Sequence, residues 1–169
     1  MTPDPLTSMA IEVSVVFDAP IDAVWALVSD VERMAGLGPE HVAAAWNTSG
    51  PATGARFTGV NRRGDFEWSV PCTVTACIPR ARIEWRVGDL VAPSSIWSYE
   101  LEENPDGGTI VVERFRHGPG FSYVRMSIDR APHEANAIIE SRCASLRTGM
   151  EATLAAARRL LAQDGAIAG

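Results

Sequence analysis

Between residues 41 and 117 the chain reads as six strand-like stretches in succession, and most of the chain after Pro132 reads as one helix. That order constrains the fold more than any other feature. Strands joined by short turns pair antiparallel, as a meander. A single long helix after them must cover whatever apolar face the meander leaves.

The stretches are 41–47, 55–61, 66–78, 81–87, 95–102 and 109–117. Turn residues separate them: Gly50-Pro51 and Gly54, then Arg62-Arg63-Gly64-Asp65, Pro79-Arg80, Pro93, and the run Asn104-Pro105-Asp106-Gly107-Gly108. Alternation is cleanest at 81–87, where Ala81, Ile83, Trp85 and Val87 face away from Arg82, Glu84 and Arg86. In 66–78 the same rule places Phe66, Trp68, Val70, Cys72, Val74, Ala76 and Ile78 on one face, with Pro71 opposite as an edge or bulge marker. A further strand at 11–17 precedes two short helices. One follows Pro20 and turns Val24, Trp25 and Val28 inward, and the other starts at a Ser29–Glu32 capping box and ends at Gly36, Gly38 and Pro39. From about 133 to 162, Ile139, Leu146, Met150, Leu154, Ala157 and Leu161 recur at helical spacing, opposite Glu140, Arg147, Glu151 and Arg158. Such a helix is on the order of 40 Å long. Residues 118–132 read either as a short helix or as an irregular flap.

These elements predict an α+β domain over 10–163, with flexible tails at 1–9 and 164–169. The length of 169 residues, 46% of them apolar and 21% charged, suits one globular domain. A net charge of −6 without a basic tract argues against a nucleic-acid partner. The N-terminal MTPDPLTSM has no secretory pattern, and no apolar run approaches the ~20 residues of a membrane span. The expectation is a soluble, cytoplasmic protein, a monomer or a homodimer paired through sheet edges. Cys72, Cys77 and Cys143 are too few and too scattered for a disulfide framework or a zinc site, and odd separation places Cys72 and Cys77 on opposite faces. No metal or cofactor motif is present.

Phe57, Trp68, Trp85, Trp97 and Tyr99 crowd the face that should be buried, while the facing helix carries Ala135, Ala144, Gly149 and Ala157. Asn61, sharing a face with Phe57, and Glu113, sharing one with Val111 and Phe115, add polar groups there. An inward carboxylate is costly unless it is bonded or reaches water. This leaves two readings. The aromatics form a solid core, with Asn61 serving the adjacent turn and Glu113 pairing with an arginine; or they line a pocket in which these groups converge. His41, His117 and His133 lie near element ends with no nucleophile partner at a motif spacing, which reads as solvation.

The segments DAPIDAVWALVSDVERM, GARFTGVNRRGDFEWSVPCTV, IEWRV and WSYELEENPDGGTIVVERF, with the late LRTGMEATL, resemble the START-like SRPBCC superfamily. Within it they resemble a bacterial subgroup labelled polyketide cyclase/dehydrase-like. The likeness spans residues 10–162. It implies a helix-grip fold, a curved seven-stranded antiparallel sheet with two short helices and a long C-terminal helix around a pocket for lipids, polyketides or similar molecules. It also favours the pocket reading, with Phe57, Asn61, Trp68, Trp85, Trp97, Tyr99, Glu113, Phe115 and Met150 as ligand-contacting candidates. Members of the superfamily include carriers and cyclases, so three functions stand: a binder or carrier of a small hydrophobic ligand, a cyclase or dehydratase, or an interaction module with a vestigial pocket. Glu113, Asn61, Tyr99 and His117 are the candidate proton donors and acceptors. The chain departs from many relatives at 34–40, where MAGLGPE lacks a tryptophan.

Overall fold

The computed structural model describes residues 4–167. Strand β1 (Ala10–Phe17) leads through α1 (Ile21–Val28) and α2 (Val31–Met34) into β2 (His41–Trp46), β3 (Arg56–Arg63), β4 (Phe66–Ile78), β5 (Arg82–Gly88), β6 (Pro93–Glu103) and β7 (Thr109–His117); α3 (Tyr123–Arg130) and α4 (Ala135–Ile167) complete the chain. The sheet order is β1-β7-β6-β5-β4-β3-β2, antiparallel throughout. The meander therefore forms as expected, and β1 closes it by pairing with β7. The two short helices carry the chain from one edge of the curled sheet to the other.

Cross-strand rows organise the concave face. One runs Val13, Glu113, Tyr99, Ile83, Cys77; the next runs Ile11, Phe115, Trp97, Trp85, Val74. A third runs His117, Ser95, Val87, Cys72, Phe57, Trp46, and a last one pairs Trp68, Asn61 and His41. The convex face is polar. There Arg82 reaches Glu84 and Glu100, and Arg114 reaches Glu100 and Glu12, an alternating chain of charges across β5, β6, β7 and β1.

Several local expectations are corrected. In β4 the register shifts between Val74 and Ala76, so Thr75 and Ala76 both stand opposite Glu84. One extra residue reverses which side chains face inward. Cys77 therefore packs on the core side with Cys72, not opposite it, while Ile78 is 56% exposed. Pro71 lies in an interior strand of the sheet, but 66–71 pair only with β3, because the β4–β5 register begins at Cys72. Its edge character is local. Asp30, not Ser29, caps α2 and accepts from the Glu32 and Arg33 amides; the Ser29 hydroxyl donates back to the Trp25 carbonyl. Glu32 instead accepts the Trp46 amide and ties α2 to β2. Pro20 precedes α1 at its cap, and Trp25 is only half-buried.

Both terminal segments are described in part; 1–3 and 168–169 lie outside the described residues. Asp4 caps a short turn at Pro5–Ser8 and pairs with Arg125 of α3 at 2.7 Å, while Leu6 and Met9 are 1% and 2% exposed. Two apolar side chains with this much to bury hold the segment down. At the other end α4 continues to Ile167, and Asp164 meets Arg33 at 3.4 Å. The helix has 33 residues and is about 50 Å long. Ala144 faces solvent instead of the sheet.

The dense core sits at one end. Phe17, Val24, Leu27, Val111, Leu154 and Ala157 are all fully buried, where the C-terminal half of α4 meets α1 and the sheet. At the other end α4 is held away from the strands, with Arg147 donating to the Glu12 carbonyl at the β1 edge and Arg142 gripping Glu40 just before β2.

Candidate ligand cavity

Between the first half of α4 and the concave face lies a cavity of about 1070 Å³, partly open to solvent. All of the residues singled out in the sequence line it: Phe57, Asn61, Trp68, Trp85, Trp97, Tyr99, Glu113, Phe115, His117 and Met150. The burial pattern agrees: Ile83 and Val74 on the same face are fully buried, yet Trp85 and Trp97, larger and adjacent, stay only half-buried. Tryptophans in a dense core would be covered by the opposing helix.

The walls are aromatic. Trp97 meets Phe115 edge-on at 4.8 Å, and Trp85 sits between Phe57 at 6.0 Å and Tyr99 at 5.7 Å. At the mouth, Phe66 stacks on Trp68 at 5.3 Å, and both meet Tyr123 of α3, at 5.3 and 5.7 Å. Residues 118–132 thus contain a helix whose first residue closes on the β3–β4 hairpin. In the first row Val13, Glu113, Tyr99 and Ile83 are all buried, whereas all three members of the last row, Trp68, Asn61 and His41, are only half-buried. The first row is the closed end and the last is the mouth.

Polar groups occupy defined places. The Tyr99 hydroxyl donates to Glu113 Oε1 at 3.3 Å, across directly paired positions of β6 and β7. Glu113 is 4% exposed, and among the described residues its Oε2 has no hydrogen-bond partner. Arg114 and Arg116 follow the strand alternation to the other face, so the pairing with an arginine does not occur. Burial raises the Glu113 pKa to about 8, against the opposing effect of the Tyr99 bond, and burial with the neighbouring carboxyl raises Tyr99 well above its ordinary 10. Asn61 serves no turn; its amide oxygen lies 3.4 Å from His41 Nδ1.

His117 is buried rather than solvated. Its Nδ1 lies 2.7 Å from the Gly118 carbonyl, which only accepts, so Nδ1 carries the proton and Nε2 accepts from the Ser122 hydroxyl at 2.7 Å. Ser122 in turn caps α3 by accepting from the Arg125 amide at 3.0 Å. Burial, helped by the Arg125 charge, lowers the His117 pKa and keeps the ring neutral. His41 is likewise lowered by burial, while His133 is exposed beside Glu134. The Ser122 partner is five residues away and belongs to no motif, which is why the sequence did not reveal it.

A second missed group is Arg142, which donates to both oxygens of Glu40 at 2.6 and 2.7 Å, with Arg63 at 3.1 Å. All three line the cavity. Burial works to raise the Glu40 carboxyl, but the bonds and charge of Arg142, with Arg63, outweigh it and hold the pKa below its ordinary 4.5. Burial pushes the Cys72 thiol up to about 12, so it is no nucleophile at neutral pH. Among the described residues no three His, Cys, Asp or Glu side chains are grouped to hold a metal ion, and no helix is long and apolar enough to cross a membrane.

The family model described as polyketide cyclase/dehydrase and lipid transport matches residues 8–151. Among solved structures, a Polyketide_cyc-like protein of Corynebacterium glutamicum is 30% identical, with 92% of this chain and 93% of that one covered and a TM-score of 0.67. A protein of Nitrosomonas europaea is 15% identical over 94% and 97%, also at 0.67. The di-domain ARO/CYC of the steffimycin biosynthetic pathway is 10% identical, over 94% of this chain and 52% of its own, with a TM-score of 0.73. The last two are likenesses of fold. No curated protein matches the sequence.

Proposed function

This chain belongs to the polyketide cyclase/dehydrase and lipid-transport family, and on that premise we propose that it binds or carries a small, mostly hydrophobic molecule between the sheet and α4. The observation that carries the reading is the unfilled space of about 1070 Å³ against half-buried Trp85 and Trp97. Pockets for small organic molecules are of this size and kind: apolar and aromatic walls with a few convergent polar groups. Phe57, Trp68, Phe115 and Met150 supply further apolar contact, and Asn61, Tyr99 and Glu113 supply polar contact. The cavity needs no metal or cofactor for this, and the acidic balance of the chain favours a small-molecule partner over nucleic acid.

The test is a thermal-shift screen of lipids and aromatic polyketides, joined to mass spectrometry of small molecules released from the purified protein. A ligand at 100 times its dissociation constant stabilises by about 2.7 kcal/mol. No stabilisation by any member of the set, together with no released molecule, contradicts the proposal.

A second reading is a cyclase or dehydrase. It is favoured by the proton-bearing Glu113 beside Tyr99 in one cavity wall. A neutral carboxyl can donate to a carbonyl oxygen as charge develops there, and a pocket that folds a flexible chain into a reactive conformation supplies much of the remaining acceleration. Turnover lost in Glu113→Gln with ligand affinity retained distinguishes this reading from a carrier.

A further inference from the structure

The Tyr99–Glu113 pair poses a question that packing does not answer. Val13 and Tyr99 flank Glu113 in the closed row, with Ile83 beyond Tyr99, and an apolar residue in place of Glu113 would fill that row at no electrostatic cost. Instead the row holds a carboxyl with one oxygen bonded to Tyr99 and the other, Oε2, buried without a partner among the described residues. Leaving a buried polar atom unmet is destabilising. Glu113 also lines the cavity, so a molecule inside it can supply the missing bond.

We infer that Glu113, oriented by Tyr99, is the polar anchor of the cavity and selects ligands that present a hydrogen-bond-accepting oxygen, a ketone or similar carbonyl, to the closed end. The inference rests on the ligand-binding reading above and names the chemistry of that ligand. Tyr99 uses its single proton on Oε1, so the proton that Glu113 holds at neutral pH lies on Oε2, where it can be given to an acceptor. The apolar walls then require the rest of the ligand to be hydrocarbon or aromatic. An amine would demand the opposite state of Glu113, a bare carboxylate, which burial disfavours.

The groups that titrate near the anchor leave a clear window. Tyr99 from β6 ionises well above pH 10. Val13 from β1 and Leu146 and Met150 from α4 carry no charge. His117 and His41 are lowered from 6.5, and Cys72 stands at about 12. The chain has no lysine; its fifteen basic residues are all arginine. Of these groups, Glu113 is the one that changes charge between pH 7 and 9.5.

Three probes of one shape test this by equilibrium dialysis: 2-acetylnaphthalene, the hydrocarbon 2-isopropenylnaphthalene, and 1-(2-naphthyl)ethylamine. In the wild-type protein at pH 7 the ketone should bind about tenfold more tightly than the hydrocarbon, the worth of one good hydrogen bond. That preference should vanish by pH 9.5. Glu113→Gln, which keeps a permanent N–H donor, should hold the preference at both pH values, and Glu113→Leu should lack it at both. An unchanged preference in Glu113→Leu, a wild-type preference indifferent to pH, or an amine that binds most tightly would each overturn the anchor while leaving the cavity reading standing. Failure of all three probes to bind would overturn both. The wild-type pH series needs no variant, so the inference stays testable if the leucine protein does not fold.

Discussion

Replacing Glu113 by glutamine should alter how stability responds to pH more than stability at any one pH. The folded-state pKa of about 8 stands above the carboxyl's ordinary 4.5. Below pH 4.5 the folded and unfolded chains both keep the proton, and Glu113 imposes no penalty. As pH rises from 4.5 to 8 the unfolded chain releases the proton and the folded chain retains it, so stability falls by about 1.4 kcal/mol per unit. Above pH 8 the loss levels off, near 5 kcal/mol in the limit of a dry site. Glutamine carries no such titration and keeps a bond with Tyr99, so at pH 5 the variant should lie within about 1 kcal/mol of wild type. Urea unfolding of both proteins at pH 5.5 and 7.5 isolates the effect, because every other titrating group cancels in the difference. The variant should gain about 2–3 kcal/mol relative to wild type over that interval, the lower figure holding if cavity water hydrates the carboxylate. Parallel stability profiles would refute the reasoning, since they would mean Glu113 ionises as freely when folded as when unfolded.

The same geometry sets other outcomes. Trp85→Ala should weaken binding of a cavity ligand by tenfold or more and cost less than the ~3–5 kcal/mol of a packed tryptophan, with Trp68→Ala similar at the mouth; unfolding at room temperature without a binding defect would make these residues core. Deleting residues 1–9 should cost about 3–5 kcal/mol in chemical denaturation, because Leu6 and Met9 lose their burial. Glu40→Gln should destabilise by about 1–3 kcal/mol at pH 7, through the unpaired Arg142. Since the folded Glu40 pKa is lowered, its contribution is present above pH 4.5 and is lost as pH falls below that, so the two proteins should converge in stability in acid.

The architecture was legible because it depends on period and order. Alternation at 81–87 and 109–117 and the helical stripe through Leu146, Met150 and Leu154 each describe one element seen in isolation. What alternation cannot reveal is an added residue. The bulge at Thr75 has no glycine or proline to mark it, and it reversed Cys77 and Ile78. Which side chains share the inner face was readable from the strands, and so was Glu113, as a charge out of place, but the faces alone did not decide between core and pocket. The polar partnerships were not: His117 with Ser122 and Glu40 with Arg142 join distant or irregular segments, and only the folded chain brings them together. At the N-terminus, prolines and polar residues gave no sign that Leu6 and Met9 would be buried.

The central claim is that α4 and the bent sheet enclose unfilled apolar space. A crystal equilibrated with xenon under pressure measures this most directly, because xenon settles in apolar voids large enough to hold it. The account predicts xenon density between the rings of Trp85 and Trp97 and the N-terminal half of α4. Those rings lying flush against α4, with no xenon between them, would contradict it.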